Sequence, residues 1–176
     1  MQKSNVIVYV VIGLALLFSS CQHNVDVDKE KEAIRAVIEA EKKGFFDKSL
    51  EQMAATWVQK PSSVKMYMSQ QGEMDLFGWV SINERSKQEI ARIDSEYENV
   101  HLEFSNFQFN IYERNAWVIF KAKWDLTYKG EPTPWEQTRI MAFEKVDGEW
   151  KITLMAIYTV PTAKEAAQNK TDKGSK

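Results

Sequence analysis

The chain carries almost nothing from which to build a redox or metal centre. Cysteine occurs once, at Cys21, and histidine twice, at His23 and His101. One cysteine excludes a disulfide framework and a thiolate zinc site, and two histidines argue against a His-rich metal site. Basic blocks are missing and the formal net charge is −2, so the electrostatic footprint of a nucleic-acid binder is absent. Gly-rich phosphate loops, Gly-x-Ser-x-Gly and His-Glu-x-x-His are missing too. No cofactor and no metal are therefore expected. The longest apolar run, residues 6–18, is about 13 residues, short of the ~20 that span a bilayer as a helix.

What is present suits one domain with a core: 176 residues, 44% hydrophobic and 12% aromatic. Residues 1–20 read as a secretory signal, with Lys3 before the apolar run and Ser19 and Ser20 after it. Leu17-Phe18-Ser19-Ser20-Cys21 resembles a bacterial lipobox, in which Cys21 becomes the lipidated first residue. The plainer alternative is an ordinary signal with an incidental cysteine. Lipid on Cys21 would hold the protein on a membrane without a spanning helix. Gln22 after it resembles the outer-membrane pattern of a Gram-negative host. Residues 21–28 read as a polar tether and 161–176 as a disordered tail.

Between them, residues 28–43 have helical spacing, with Ile34, Val37, Ile38 and Phe45 on one stripe. Glu41 falls on that stripe, either in water at the helix end or in a pocket. Gly44 is expected to end the helix, and Asp47 to cap a second one that buries Leu50, Met53, Ala54 and Trp57. Residues 64–69 and 74–79 read as a hairpin, with Gln70-Gln71-Gly72 as its turn. Ser81-Ile82-Asn83-Glu84 has the form of a capping box opening a third helix, which buries Ile82, Ile90 and Ile93.

From residue 100 onward the period changes to two. Residues 100–111, 116–128, 135–146 and 149–160 read as strands. Asp147-Gly148 is the strongest hairpin signal among their connections. Alternation places Ala116, Val118, Phe120, Ala122 and Trp124 on one face, with Trp117, Ile119, Lys121 and Lys123 on the other. It also places Trp150, Ile152, Leu154, Ala156 and Tyr158 together. Three helices, a hairpin and a four-strand meander make an α+β domain, with helices packed on one face of a curved sheet.

This order resembles the nuclear transport factor 2-like superfamily, which includes ketosteroid isomerases and polyketide-cyclase-like proteins. The residues that carry the likeness are Glu32-Ala33-Ile34-Arg35, Asp47, Gly78 and Gly148-Glu149-Trp150-Lys151-Ile152, across residues 29–160. The resemblance implies a cone-shaped, curved antiparallel sheet with three N-terminal helices on its concave face. It also implies an apolar pocket between the two layers and, in many members, a homodimer formed through the sheet. Catalytic relatives place an Asp or His in the pocket, and often a His after Trp-Lys-Ile. Here Thr153-Leu154-Met155-Ala156 follow.

Candidate site residues come from their positions. Arg139 alternates with Met141 and Phe143, so it faces inward, where it needs an acid or an anionic ligand. Glu41 is its candidate partner, Tyr67 and Tyr158 are candidate hydroxyl donors, and Trp57 and Trp124 are candidate pocket walls. His101 reads as a surface residue. Asp94, Glu96 and Glu98 form an acidic cluster, read as a solvated face.

Three functions are compatible with these residues. The first is a cell-envelope lipoprotein that binds a small apolar ligand or a protein partner without catalysis. The second is a ketosteroid-isomerase-like or dehydratase-like enzyme with Glu41 as general base. The third is a structural domain that dimerises through Trp117 and Ile119.

Overall fold

The computed structural model describes residues 26–69 and 72–160. The signal segment, Cys21 and most of the tether, the Gln70-Gln71 turn and the tail beyond residue 160 lie outside the described residues.

The first helix, α1, spans Val27–Phe46. Asp26 caps it by accepting from the Lys29 N–H at 3.2 Å, so the helix takes over the last residues assigned to the tether. Ile34, Ile38, Glu41 and Gly44 are its buried positions, at the three- and four-residue spacing of one helical face. Gly44 does not end the helix. It lies inside, where a Cβ would meet both Cγ and the backbone nitrogen of Met53 at 2.9 Å. Its role is to let the short helix α2, Leu50–Ala55, lie directly against α1.

Asp47 caps the end of α1 and not the start of α2, its N–H bonded to the Lys43 carbonyl at 2.8 Å. Lys48 turns the chain at φ 57°. That leaves Ser49 extended, accepting from the Gln52 N–H at 3.2 Å as the α2 cap.

The hairpin is β1, Val64–Ser69, with β2, Gly72–Phe77. Helix α3 spans Trp79–Glu96, with Gly78 at its N-cap. The helix therefore starts two residues before the expected capping box, and Ser81 lies within its first turn. Tertiary contacts decide the earlier start. The Gly78 and Trp79 N–H groups bond the carbonyls of Ser63 and Lys60 at 2.8 and 3.1 Å, and Trp79 packs on Trp57 with ring centroids 6.3 Å apart.

The remaining strands are β3, Tyr97–Ile111; β4, Asn115–Tyr128; the two-residue β5, Glu131–Pro132; β6, Trp135–Val146; and β7, Glu149–Val160. The sheet order is β2-β1-β7-β6-β4-β3. β1 with β2, β3 with β4, β4 with β5 and β6 with β7 pair antiparallel, as short connections require. The sheet is nevertheless mixed, because β1 pairs parallel with β7. The two are joined by most of the chain, so no tight turn dictates their relative direction.

Asp147 and Gly148 both have positive φ, 52° and 86°, the type I′ geometry that matches the twist of a two-residue hairpin. Two bulges coil β3, between Glu98 and His101 and between Ser105 and Gln108. Asn99 and Asn106 lie within them at φ 53° and 56°, a left-handed conformation that Asn tolerates.

A third bulge lies in β7. Phe143 pairs with Ile152 and Ala142 with Leu154, which leaves Thr153 as the extra residue. One extra residue reverses the alternation. Trp150 and Ile152 face the core, but beyond the bulge Met155 and Ile157 take the inward positions and Tyr158 points out, 46% exposed. The expected shared face from Trp150 to Tyr158 is thus broken at Thr153.

Helices and sheet enclose one continuous core built on Ile34, Ile38, Ile82, Val118, Phe120, Met141, Phe143 and Ile152. Each such fully buried side chain contributes about 1.5–3 kcal/mol. A second cluster is Leu102, Ala122, Trp124 and Leu126, of which Leu102 and Trp124 line the cavity described next.

Candidate functional site

Between α1, α3 and the inner face of the sheet lies a cavity of about 170 Å³. Each polar group in it arrives by a local rule. Glu41 follows Ile34 and Ile38 on the buried stripe of α1. Glu89 extends the stripe of α3 after the buried Ile82 and Ser86. Lys65 and Tyr67 are alternate residues of β1. Trp135, Gln137 and Arg139 are alternate residues of β6, so all three face the same way. Phe45, Ile93, Tyr97, Leu102, Trp124, Met155 and Ile157 form the apolar walls, and Lys42, Arg85 and Arg92 complete the lining.

One half of the polar lining is self-satisfied. The Glu89 carboxylate accepts from Lys65 Nζ at 3.0 Å, from the Tyr67 hydroxyl at 2.5 Å and from Arg85 Nε at 3.1 Å. Burial alone would raise the Glu89 pKa, but Lys65 and the Tyr67 and Arg85 contacts hold it below the ordinary carboxylate value. Lys65 has only 3% exposure. Burial opposes its charge, yet Glu89 keeps its pKa above the usual lysine value. Burial and the Glu89 charge push the Tyr67 hydroxyl up to about 12, against the pull of Lys65.

The other half is not. Arg139 is buried, and its guanidinium forms no ion pair among the described residues. Nε and Nη2 donate to Gln137 Oε1 at 3.2 and 3.0 Å. The group sits over the Phe104 and Trp124 rings at 5.4 and 5.9 Å. Burial lowers its pKa and Glu41 opposes that, but a guanidinium keeps its proton.

Glu41, also buried, makes no hydrogen bond among the described residues. Burial raises its pKa; Lys65 and Arg139 counteract this and Glu89 adds to it. Its proton is thus held more tightly than that of an ordinary glutamate. Trp135 Nε1 is a buried donor with no partner.

The candidates read from the sequence divide accordingly. Glu41, Tyr67, Trp124 and Arg139 all line the cavity. Trp57 does not; it is a core residue packed on Trp79. Tyr158 does not either, for the Thr153 bulge turns it to the opposite face. The expected pairing of Arg139 with Glu41 is not a direct ion pair, because Gln137 occupies the guanidinium edge. His101 is an exposed partner of Glu103 at 3.1 Å. In the acidic cluster Glu96 pairs with Arg92 at 2.8 Å and Glu98 is exposed; the Asp94 side chain lies outside the described residues. Among the described residues no three His, Cys, Asp or Glu side chains are grouped to hold a metal.

Sequence reading missed Lys65, Arg85, Glu89, Trp135 and Gln137 as site residues. The signal for Glu89 is the stripe Ile82, Ser86, Glu89, Ile93, an acid on an apolar face as in α1. For Trp135 and Gln137 it is the same alternation that pointed to Arg139.

No family profile matches the chain, and no curated protein sequence matches it. Its fold does have relatives among solved structures. A nuclear transport factor 2-like superfamily protein from Salmonella enterica superposes with a TM-score of 0.62 at 12% identity, covering 78% of this chain and 95% of its own. A candidate dehydratase of the NTF2-like family from Streptomyces avermitilis gives 0.63 at 13% identity, covering 77% and 99%. A candidate scytalone dehydratase from Novosphingobium aromaticivorans gives 0.60 at 18% identity, covering 75% and 85%. Identities this low carry the architecture and nothing of the chemistry. From its helix order, curved sheet and these superpositions, the chain has the α+β fold of the nuclear transport factor 2-like superfamily.

Proposed function

We propose that this is a lipid-anchored protein of the cell envelope whose domain holds a small, largely apolar ligand without transforming it. The cavity carries the reading. It is roomy, walled by aromatic and aliphatic side chains, and has a few convergent polar groups, the usual make-up of a ligand site. The lipobox-like Leu17 to Cys21 supports the anchor, with the outer membrane as its place in a Gram-negative host. The test uses Trp124 and Trp135 as built-in reporters. Titration with indole or naphthalene should shift or quench tryptophan emission saturably, and Trp124→Leu should remove most of the response. Unsaturable, weak quenching with every apolar probe would sink the binding reading. For the anchor, Cys21→Ser should move the protein from the membrane fraction to the soluble one.

The second reading is an enzyme with Glu41 as general base. It is supported by a buried carboxyl group that has a raised pKa and no hydrogen bond. Removing a general base slows turnover by roughly 10²–10⁴-fold. Glu41→Gln should therefore abolish conversion of any substrate that the native protein accepts; unchanged turnover rejects the assignment.

The third reading is a domain that pairs with a second copy through Trp117 and Ile119 on the helix-free face of the sheet. Across neighbouring strands this face presents Phe77, Val64, Leu154, Ala142 and Trp117 in one row, and Met66, Ala156, Ile140 and Ile119 in the next. Phe77, Trp117 and Ile140 are exposed, more apolar surface than isolated side chains account for. Glu73 and Asp75 lie at the β2 edge of this face, and Lys121 and Lys123 on the β4 side. A two-fold axis would bring opposite charges together.

A further inference from the structure

The polar groups left over in the cavity are unequal in kind. Along β6, Trp135, Gln137 and Arg139 each present an unused donor. Trp135 Nε1 is buried without a partner. Gln137 Oε1 already accepts from Trp124 Nε1 at 3.0 Å and twice from Arg139, which fixes the amide and leaves its NH₂ free. Arg139 Nη1 makes no hydrogen bond among the described residues. Residues i, i+2 and i+4 of a strand stand about 6.6 Å apart in turn, so the three side chains line one wall, with the Gln137 and Arg139 donors open to the cavity and Trp135 Nε1 closed off behind it. Facing them, the one open carboxyl group is Glu41.

Charge gives the same answer. Lys65 and Arg85 share Glu89, and Arg92 has Glu96. Among the described residues Arg139 is the buried cation with no carboxylate in ion-pair contact, Glu41 acting on it only from a distance. A buried charge without a counter-charge is costly, and a ligand that brings one is repaid in affinity. One uncompensated guanidinium matches one negative charge. A dianion would also meet Glu89 across the cavity.

Size completes the description: about 170 Å³ is close to the roughly 150 Å³ apolar cavity that accepts a benzene molecule.

Resting on the ligand-binding reading above, we infer that the cavity selects a small aromatic monocarboxylate. Its carboxylate sits on Arg139 and the Gln137 amide, and its ring lies between Trp124, Phe45 and Tyr97. Gln137 acts as a positioning residue that holds the guanidinium edge toward the ligand.

The experiment is calorimetric titration of the full domain with benzoate, its neutral isostere benzamide, and phenyl phosphate. Benzoate should bind at least 10-fold more tightly than benzamide, and phenyl phosphate no better than benzoate. Arg139→Met should erase the preference by weakening benzoate while benzamide binding persists; Arg139→Lys should keep part of it. Benzamide binding as well as benzoate overturns the inference and leaves the ligand-binding reading standing, as does phenyl phosphate binding best. Binding of none of the three, nor of indole, overturns both. If Arg139→Met fails to fold, the native protein's own preference among the three probes decides.

Discussion

At the residue scale, the most informative side chain is Glu41, because its position is expensive for a carboxylate. The folded state holds its proton more tightly than the unfolded chain does, since burial disfavours the charge more than Lys65 and Arg139 favour it. A folded-state pKa above the ordinary 4.5 means that the folded protein binds more protons. Stability is therefore full below that value and falls as pH rises through the folded pKa. Glu41→Gln removes the dependence. Below pH 4.5 the variant and the native protein should melt together. Toward alkaline pH the variant should melt above the native protein, the gap widening as pH rises through the folded pKa of Glu41. Glu89 behaves oppositely: its pKa is lowered, so its contribution is lost as pH falls. It is present in both proteins and cancels from the difference. Melting curves that stay parallel at every pH would show that Glu41 titrates alike in the folded and unfolded states.

Position along an element explains why Glu41 could be read from the sequence and Glu89 could not. Glu41 continues a regular Ile34–Ile38 stripe. In α3 the stripe that faces the cavity runs through Ile82, Ser86, Glu89 and Ile93, and its two middle residues are polar. Polar residues on a buried face look like solvent-facing ones until the partners are known, and Lys65 and Arg85 are supplied by another strand and another turn.

At the scale of elements, α1 and α2 are joined by contact rather than by sequence preference. Gly44→Ala would ordinarily strengthen a helix by about 1 kcal/mol. Here the added methyl would lie 2.9 Å from the Met53 backbone nitrogen, and α2 would have to shift. The variant should be less stable by about 1–3 kcal/mol, the usual cost of overpacking, read as a lower urea midpoint with an unchanged slope. An increase in the midpoint would mean that α2 floats freely.

The hairpin of β6 and β7 shows the reverse balance. Asp147-Gly148 and the alternation of β6 are local, so they are legible in the sequence and appear as expected. The bulge at Thr153 is not local. It exists only as a mismatch between two strands, and a period-two pattern read on one strand continues straight through it. That single residue removed Tyr158 from the cavity and put Met155 and Ile157 there.

For the whole molecule, the open question is the helix-free face. The proposed pairing predicts a dimer in sedimentation equilibrium. Ile140, 39% exposed at the centre of the face, should be the sensitive point: Ile140→Lys should give monomers that keep the native melting behaviour, because the residue packs against no helix. A native protein that sediments as a monomer at every concentration would end the proposal. Edge-to-edge pairing at β3 is disfavoured, as its two bulges interrupt the ladder a neighbouring strand would need.

The sequence by itself determined the α+β class, the order of the helices and long strands, and the inner and outer faces of β4 and β6; it put Glu41 on the apolar stripe of α1 but left open whether it met water or a pocket. These follow from hydrophobic period and turn chemistry, which act over a few residues. Only the tertiary structure decided that Gly44 is a contact and not a stop, that β1 joins β7 in parallel, and that Lys65 and Glu89 meet across 24 positions. It alone separated Arg139 from a carboxylate and left the Gln137 and Arg139 donors open along one wall. Those features depend on distances between segments far apart in the chain, and no local period encodes a distance.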